Sequence, residues 1–447
     1  MDRTTAVPRV DSFPGPRAEE RVAYHHRFAA PSTYVYEFVW DTLAEAAGPF
    51  VTDVDGNVFL DFTSHVGAAP LGYNNPKVVD RMAEFDLPDP AKIAGQDFYL
   101  SAGDPAETAY PGPAELMERL VETTDRYGLD TVFLSNSGAE SVENAMKICY
   151  DASAGKYGVT FEGAFHGRTL GALSLNRSKE VYRRQFPEIA GIHEVPFCDD
   201  RSCTAATCSC GFFPAEDRPS QLRRMLDPES GYVDPADLAY LILEPVQGEG
   251  GYRFPSDAFV EELAALREEH GFLVIADEIQ SGMGRTGEFW AVDDYPLDPD
   301  VICAAKALRV GATIASSDTF PEETSRLSST WGAGDIVDAL QGALTIEAIH
   351  DHDLLANATA MGDLFLELLG DADLPNVVDT RGKGLMLAVE FDSKARRDDA
   401  MAAAVQRGLL VIGCGTRTLR VLPPLDVTER EIRMGVDILA EAAEAVA

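Results

Sequence analysis

From about Val132 onward, short apolar runs alternate with longer amphipathic stretches. VFLSNSG is followed by ESVENAMKICYDA, GVTFEG, LAYLILEP, FVEELAALREEHG, FLVIADE and VICAAK. The uniformly apolar runs fit strands buried on both faces, and the stretches with apolar residues three and four apart fit helices lying over them. This order predicts a mostly parallel sheet in a large α/β domain. Beyond about Trp331 the helical segments lengthen in DIVDALQGALTIEAIHDHDLLANATAMGDLFLELL. They give way to short strands in VVDTRG, LMLAVEF, LLVIG and LRVLP, then to an amphipathic helix from about Thr428. The first 35 or so residues, with Pro8, Pro14, Gly15, Pro16 and Pro31, read as an irregular arm suited to wrapping a partner subunit. The expected division is therefore an arm and part of a small domain over 1–75, a large domain over 76–332 and the rest of a smaller α+β domain over 333–447.

Length agrees with more than one core, since 447 residues exceed what a single core usually organises. Charge narrows the partners. With 74 acidic and 37 basic residues the formal net charge is -37, a surface that repels nucleic acid and anionic lipid. The acids are dispersed and lysines are only eight, a balance similar to that of proteins from salt-loving organisms, where screening relieves self-repulsion. No apolar run approaches a membrane span and the N-terminus has no apolar signal core, so a cytoplasmic protein is expected. Seven cysteines suit a reducing compartment.

Three features carry chemistry. In FLVIADEIQ an apolar strand delivers Asp277 to the carboxyl end of the sheet, the edge where α/β folds bind ligands. Strand-Asp-Glu also occurs in nucleotide hydrolases, so this feature alone does not decide. Lys306 closes a second apolar strand, VICAAK, among Ala304, Ala305 and Ala307, where desolvation favours a neutral, nucleophilic amine. Finally, SNSGAESVE ends a strand at Ser137, Gly138 and Ala139 and opens a helix, whose free N–H groups and dipole suit a phosphate. Together they meet the needs of pyridoxal 5'-phosphate (PLP): a lysine for its aldehyde, an acid for its pyridine nitrogen and a phosphate cradle.

SNSGAESVENAMK, GAFHGRTLGALSL, EPVQGEGG, VIADEIQSGMGRTGEFWA, Lys306, SSTWG and LRVLPPL fall in the order of the class III aminotransferases, which the chain resembles over roughly residues 34–440. The resemblance implies a homodimeric, PLP-dependent fold type I transaminase with Lys306 joined to the cofactor as an imine. It also implies a cofactor site of Ser137, Gly138, Ala139, Phe165, His166, Asp277, Ile279, Gln280, Lys306 and Thr330. Phe165 would stack on the pyridine ring, Ile279 would pack on its other face, and Gln280 would bond its phenolic oxygen. Thr330 would reach the phosphate held by the neighbouring subunit.

The same resemblance places Val66, Arg168, Glu249 and Arg420 at the substrate. Arg168 and Arg420 suit carboxylates through paired hydrogen bonds, and Glu249 would mask Arg420 until 2-oxoglutarate binds. Val66, RLSSTWG and VIGCGTRTLRVLPPL look most like 4-aminobutyrate and lysine 6-aminotransferases. Acetylornithine-type transamination and amino acid racemisation are the alternatives within the family. ALRVG after Lys306 departs from the glycine-rich turn of many relatives, which puts the loop's geometry in doubt.

Outside this pattern, Cys198, Cys203, Cys208 and Cys210 fall within VPFCDDRSCTAATCSCGFF. The spacing C-x4-C-x4-C-x-C has no paired C-x2-C knuckles. It leaves open a structural zinc, an iron-sulfur cluster, or free or occasionally bridged thiols.

Overall fold

The computed structural model describes residues 1–33, 36–85, 112–201, 203–214, 218–330, 335–372 and 374–447. The chain forms two compact units, Asp80–His352 and the pair of segments Met1–Val79 with Asp353–Ala447.

The larger unit is organised by a seven-stranded sheet. In chain order its strands are β1 (Thr131–Ser135), β2 (Tyr157–Phe161), β3 (Ile192–Val195), β4 (Leu238–Leu243), β5 (Leu273–Asp277), β6 (Val301–Ala304) and β7 (Gly311–Ala315). Their spatial order is β1-β7-β6-β5-β4-β2-β3. All neighbours are parallel except at β7, which runs antiparallel to both β1 and β6. Six strands therefore end on one edge, so the residues that follow Ser135, Phe161, Leu243, Asp277 and Ala304 gather there.

Alternation along the strands builds a core on each face. Tyr240, Ile242, Ile275 and Val301 pack with Val142, Ala145, Met146 and Cys149 of the helix Gly138–Ser153. Leu241, Leu243 and Val274 pack with Phe259, Leu263 and Leu266 of the helix Asp257–His270. Ser137 and Ser256 cap these helices by accepting the N–H of Glu140 and of Phe259. The helix Ile336–Asp351 lies in the larger unit, where it packs on the helix Pro113–Glu122 and on the turn that begins at Lys306.

The smaller unit holds a four-stranded antiparallel sheet, in the order 377–383, 386–391, 418–421, 412–414, and a three-stranded sheet of 50–52, 58–61 and 409–410. The closing helix spans Glu429–Glu444 with Thr428 as its cap, as the amphipathic pattern predicts. The first residues are more ordered than the arm their prolines suggest. Pro16 occupies the first turn of the helix Pro16–His26, where a missing N–H costs nothing. Arg9 bridges to Val58, and Arg3 is clamped by Asp426 and Glu431 at 2.8 and 2.7 Å.

Candidate active site

The ligand edge of the large sheet collects the predicted residues of this unit. After β1, Ser137 caps the helix, and the first-turn N–H groups of Gly138 and Ala139 have no intrahelical acceptor. A side chain at Gly138 would meet Ile279 at 2.8 Å, so only glycine lets the cradle lie this close to β5's extension. At the end of β5, Asp277 is buried, and its Oδ2 lies 2.7 Å from Nδ1 of the equally buried His166. Its Oδ1 accepts the Ile279 N–H at 3.2 Å. This hydrogen bond fixes the orientation of the Asp277 carboxyl group.

Lys306 follows β6, and the antecedent Asp277 and Cys303 are direct partners across β5 and β6. The lysine backbone has φ +44 and starts a short turn, Lys306–Leu308, that ends on Arg309 at φ +72. These two non-glycine residues with positive φ turn the chain after Lys306, so ALRVG makes the turn without a glycine at either position.

After β2, Phe165 is half-buried and its N–H is held by Glu244 Oε1 at 2.9 Å. Glu244 follows β4 directly and also accepts the Gly248 N–H at 2.9 Å. Burial, reinforced by the Asp277 carboxylate, pushes its own carboxyl up to about 7. Glu278 is likewise buried and pushed up to about 8 by burial, while it accepts bonds from Ser281 Oγ and Val292 N–H. Phe165 meets Tyr182 edge-on at 5.5 Å, and the Arg168 guanidinium lies over the Tyr182 ring at 4.4 Å. Glu249 accepts from Tyr182 Oη at 3.3 Å and from Lys179 Nζ at 3.5 Å. Thr330 is exposed, with its carbonyl 2.6 Å from Asn136 Nδ2, one residue before the cradle.

Val66 and Arg420 belong to the smaller unit. Arg420 is buried on strand Thr418–Val421 between Ala388 and Ile412. Val66 sits in a left-handed turn, with Ser64, His65 and Val66 at φ +44, +50 and +60. That turn is fastened to Arg420's strand end, since Ser64 Oγ donates to the Leu422 carbonyl at 2.7 Å and Leu422 N–H donates to Phe62. Three consecutive non-glycine residues in this region cost about 1–3 kcal/mol each, a strain typical of functional turns.

Sequence reasoning passed over Glu244, Lys179 and Tyr182. Glu244 had a signal, because LILEP delivers an acid from a buried strand just as LVIAD delivers Asp277.

The sequence model of the aminotransferase class-III family matches residues 36–443. The chain belongs to this family. It is 33% identical to an acetylornithine aminotransferase of Archaeoglobus fulgidus over 398 residues, covering 88% of this chain and 92% of the relative. It is 32% identical to a putrescine aminotransferase of Pectobacterium atrosepticum, covering 86% and 79%. Among solved structures, the lysine aminotransferase of M. tuberculosis matches 96% of this chain and all of its own, at 27% identity and a TM-score of 0.79.

Class III aminotransferases are PLP-dependent, and the residues here fit that cofactor. Gly138 leaves room for Ile279 beside a helix N-terminus whose first-turn N–H groups suit a phosphate. The amide of Gln280 has a buried Oε1 with no partner among the described residues, which leaves it able to accept from a ligand hydroxyl or N–H. No described helix is long and apolar enough to cross a membrane.

Proposed function

We propose that this aminotransferase moves a terminal amino group from an ω-amino donor of the 4-aminobutyrate, lysine or ornithine kind to 2-oxoglutarate, as a homodimer in a salt-rich cytoplasm. The observation that carries the reading is the wall formed by Arg168, Tyr182, Lys179 and Glu249. A donor that reacts through its terminal amine has its polar end several bonds from the reacting carbon. Cations on a wall separate from the turn that begins at Lys306 suit that end. The relatives' names point the same way. Acetylornithine has its α-amine blocked, and putrescine has only terminal amines.

Bound PLP supplies an aldehyde that captures the amine and an electron-poor ring that accepts the electron pair of the broken C–H bond. The chain's residues divide the remaining work. Lys306 Nζ would hold the cofactor between turnovers and then carry the proton off the substrate carbon. Asp277 would keep a proton on the ring nitrogen, with His166 fixing its orientation. Phe165 and Ile279 would clamp the ring, Gln280 would bond its phenolic oxygen, and Ser137, Gly138 and Ala139 would take the phosphate. Thr330 would contact the phosphate of the neighbouring subunit, which makes each site depend on the dimer. Arg168 would hold the donor's carboxylate. Glu249 would neutralise Arg420 until 2-oxoglutarate claims it, so that no buried guanidinium is left without a counter-charge. Dispersed acids and the cluster of thiols support a salt-rich, reducing compartment.

The deciding assay pairs 2-oxoglutarate with 4-aminobutyrate, lysine, ornithine, acetylornithine, putrescine and alanine. Glutamate should form with terminal-amine donors and not with alanine. Loss of optical activity from a single amino acid without keto acid would instead make the enzyme a racemase.

A further inference from the structure

Between β3 and the helix Gln221–Met225 the chain makes a long excursion over residues 196–220 whose described part has no helix or strand of its own. Segments of that length inside a compact unit need something to hold them. Cys198, Cys203, Cys208 and Cys210 all lie in it, and their Sγ atoms are all within 4.8 Å of one another. Four thiolates around one ion at 2.3 Å and tetrahedral angles stand about 3.8 Å apart. A multi-iron cluster spreads its four thiolates around a body several ångströms across, wider than this group.

Each sulfur is also met by a donor. Cys203 accepts the N–H of Ser209 at 3.2 Å and of Cys210 at 3.3 Å. Cys208 accepts the Phe213 N–H at 3.3 Å, Cys210 the Phe212 N–H at 3.4 Å, and Cys198 the Ser256 hydroxyl at 3.3 Å. Gly211, at φ +91, turns the chain so that the two phenylalanine N–H groups point back at the thiols. Neutral thiols are weak acceptors, whereas metal-bound thiolates are strong ones, and such donors are the usual surroundings of a metal's ligands. A disulfide would use two of these sulfurs and leave the others crowded.

We propose that Cys198, Cys203, Cys208 and Cys210 bind one zinc ion as a closed tetrathiolate site. Its role is structural. The four-ligand set leaves no open position for substrate, and the site sits beside edge strand β3, three strands from Asp277 on β5. It ties the excursion to the sheet and to the start of the helix Asp257–His270, where Phe212 packs on Phe259 with ring centroids 4.7 Å apart. The remaining cysteines, Cys149, Cys303 and Cys414, are buried elsewhere and take no part.

Holoenzyme prepared under reductant and without chelators should contain about one zinc per chain by elemental analysis. Cys208→Ser and the Cys208→Ser/Cys210→Ser double variant should lose at least half of it, while Cys149→Ser keeps it. Should the double variant fail to fold, the wild type still decides. A mercurial thiol reagent should release zinc to a chromogenic chelator in step with the first four reactive thiols. Cobalt-loaded protein should also show the intense visible bands of a tetrahedral thiolate site, at wavelengths beyond the cofactor's. The proposal is overturned by any of three results: a metal-free wild type that takes up neither zinc nor cobalt, zinc content unchanged in the double variant, or iron accompanied by acid-labile sulfide.

Discussion

His166 Nδ1 and Asp277 Oδ2 share a 2.7 Å hydrogen bond in which both side chains are buried. Such a pair fixes the orientation of Asp277, as its proposed role at the cofactor's ring nitrogen would require. Asp277→Asn should therefore keep the cofactor but lower kcat by at least about 100-fold, the usual scale for a proton held in the wrong place. His166→Asn, which retains a donor, should keep more kcat than His166→Ala at similar KM. Near-wild-type turnover of Asp277→Asn would contradict the role.

Borohydride treatment of the yellow holoenzyme should fix the cofactor on the peptide containing Lys306, as mapped by mass spectrometry. Lys306→Ala should show no fixed label and no turnover. Label on another lysine would remove Lys306 from the mechanism.

If Thr330 serves the neighbouring subunit, Thr330→Ala should weaken cofactor retention. Hybrid dimers of Thr330→Ala with Lys306→Ala should then recover activity, because one site carries both defects and the other neither. Titrating mixed subunits and finding no recovery would return Thr330 to its own chain.

If Glu249 masks Arg420 as proposed, Glu249→Ala should improve glutamate relative to 4-aminobutyrate as donor, because Arg420 would be exposed during the first half-reaction. Arg420→Ala should impair mainly the keto-acid half, by about 2–5 kcal/mol in single-turnover rates if the lost contact is dry. Lys179→Ala, which removes a cation of the donor wall and a partner of Glu249, should impair the amine half and leave the keto-acid half. Equal losses in both half-reactions for every variant would refute the division.

Glu278 binds its proton more tightly folded, at about 8, than an ordinary glutamate at about 4.3 does. Its contribution is fully present below the lower value and is lost as pH rises through the upper one. Glu278→Gln can accept the Val292 N–H with Oε1 and donate Nε2 to Ser281 Oγ, so it keeps a hydrogen bond to each partner without the charge. Its melting temperature relative to wild type should therefore climb between about pH 5 and 8 and level off above. A difference that stays flat across this window would mean that the carboxyl ionises without penalty.

The sheet, its helices and the placement of Asp277 and Lys306 were legible because buried strands leave uniform apolar runs, and the residue that ends each run lands on the ligand edge. Glu244 obeyed the same grammar but stood next to a glycine-rich stretch that drew attention to Glu249. Tyr182 and Lys179 left no periodic trace, since they reach Glu249 from the irregular segment around the turn Glu180–Tyr182. β7 was missed because GATIA is a run of small residues, and its direction, opposite to every neighbour, is set by tertiary pairing alone. The helix at Pro16–His26 was hidden by prolines that mark a helix start as well as they mark a loop.

The smaller unit is assembled from residues 1–79 and 353–447, with Arg3 clamped by Asp426 and Glu431. On a ribosome, the first segment emerges long before the second exists. At about 5–20 residues per second, roughly 15–55 s pass while the intervening stretch is made. Throughout that interval Phe50, Phe59 and Phe62, which end buried, lack the strand 409–410 and the residues near Leu422 that pair with their segment. The large unit has all its own residues first and is free to fold as they emerge. The opening segment must wait as an incomplete apolar surface until the last hundred residues arrive.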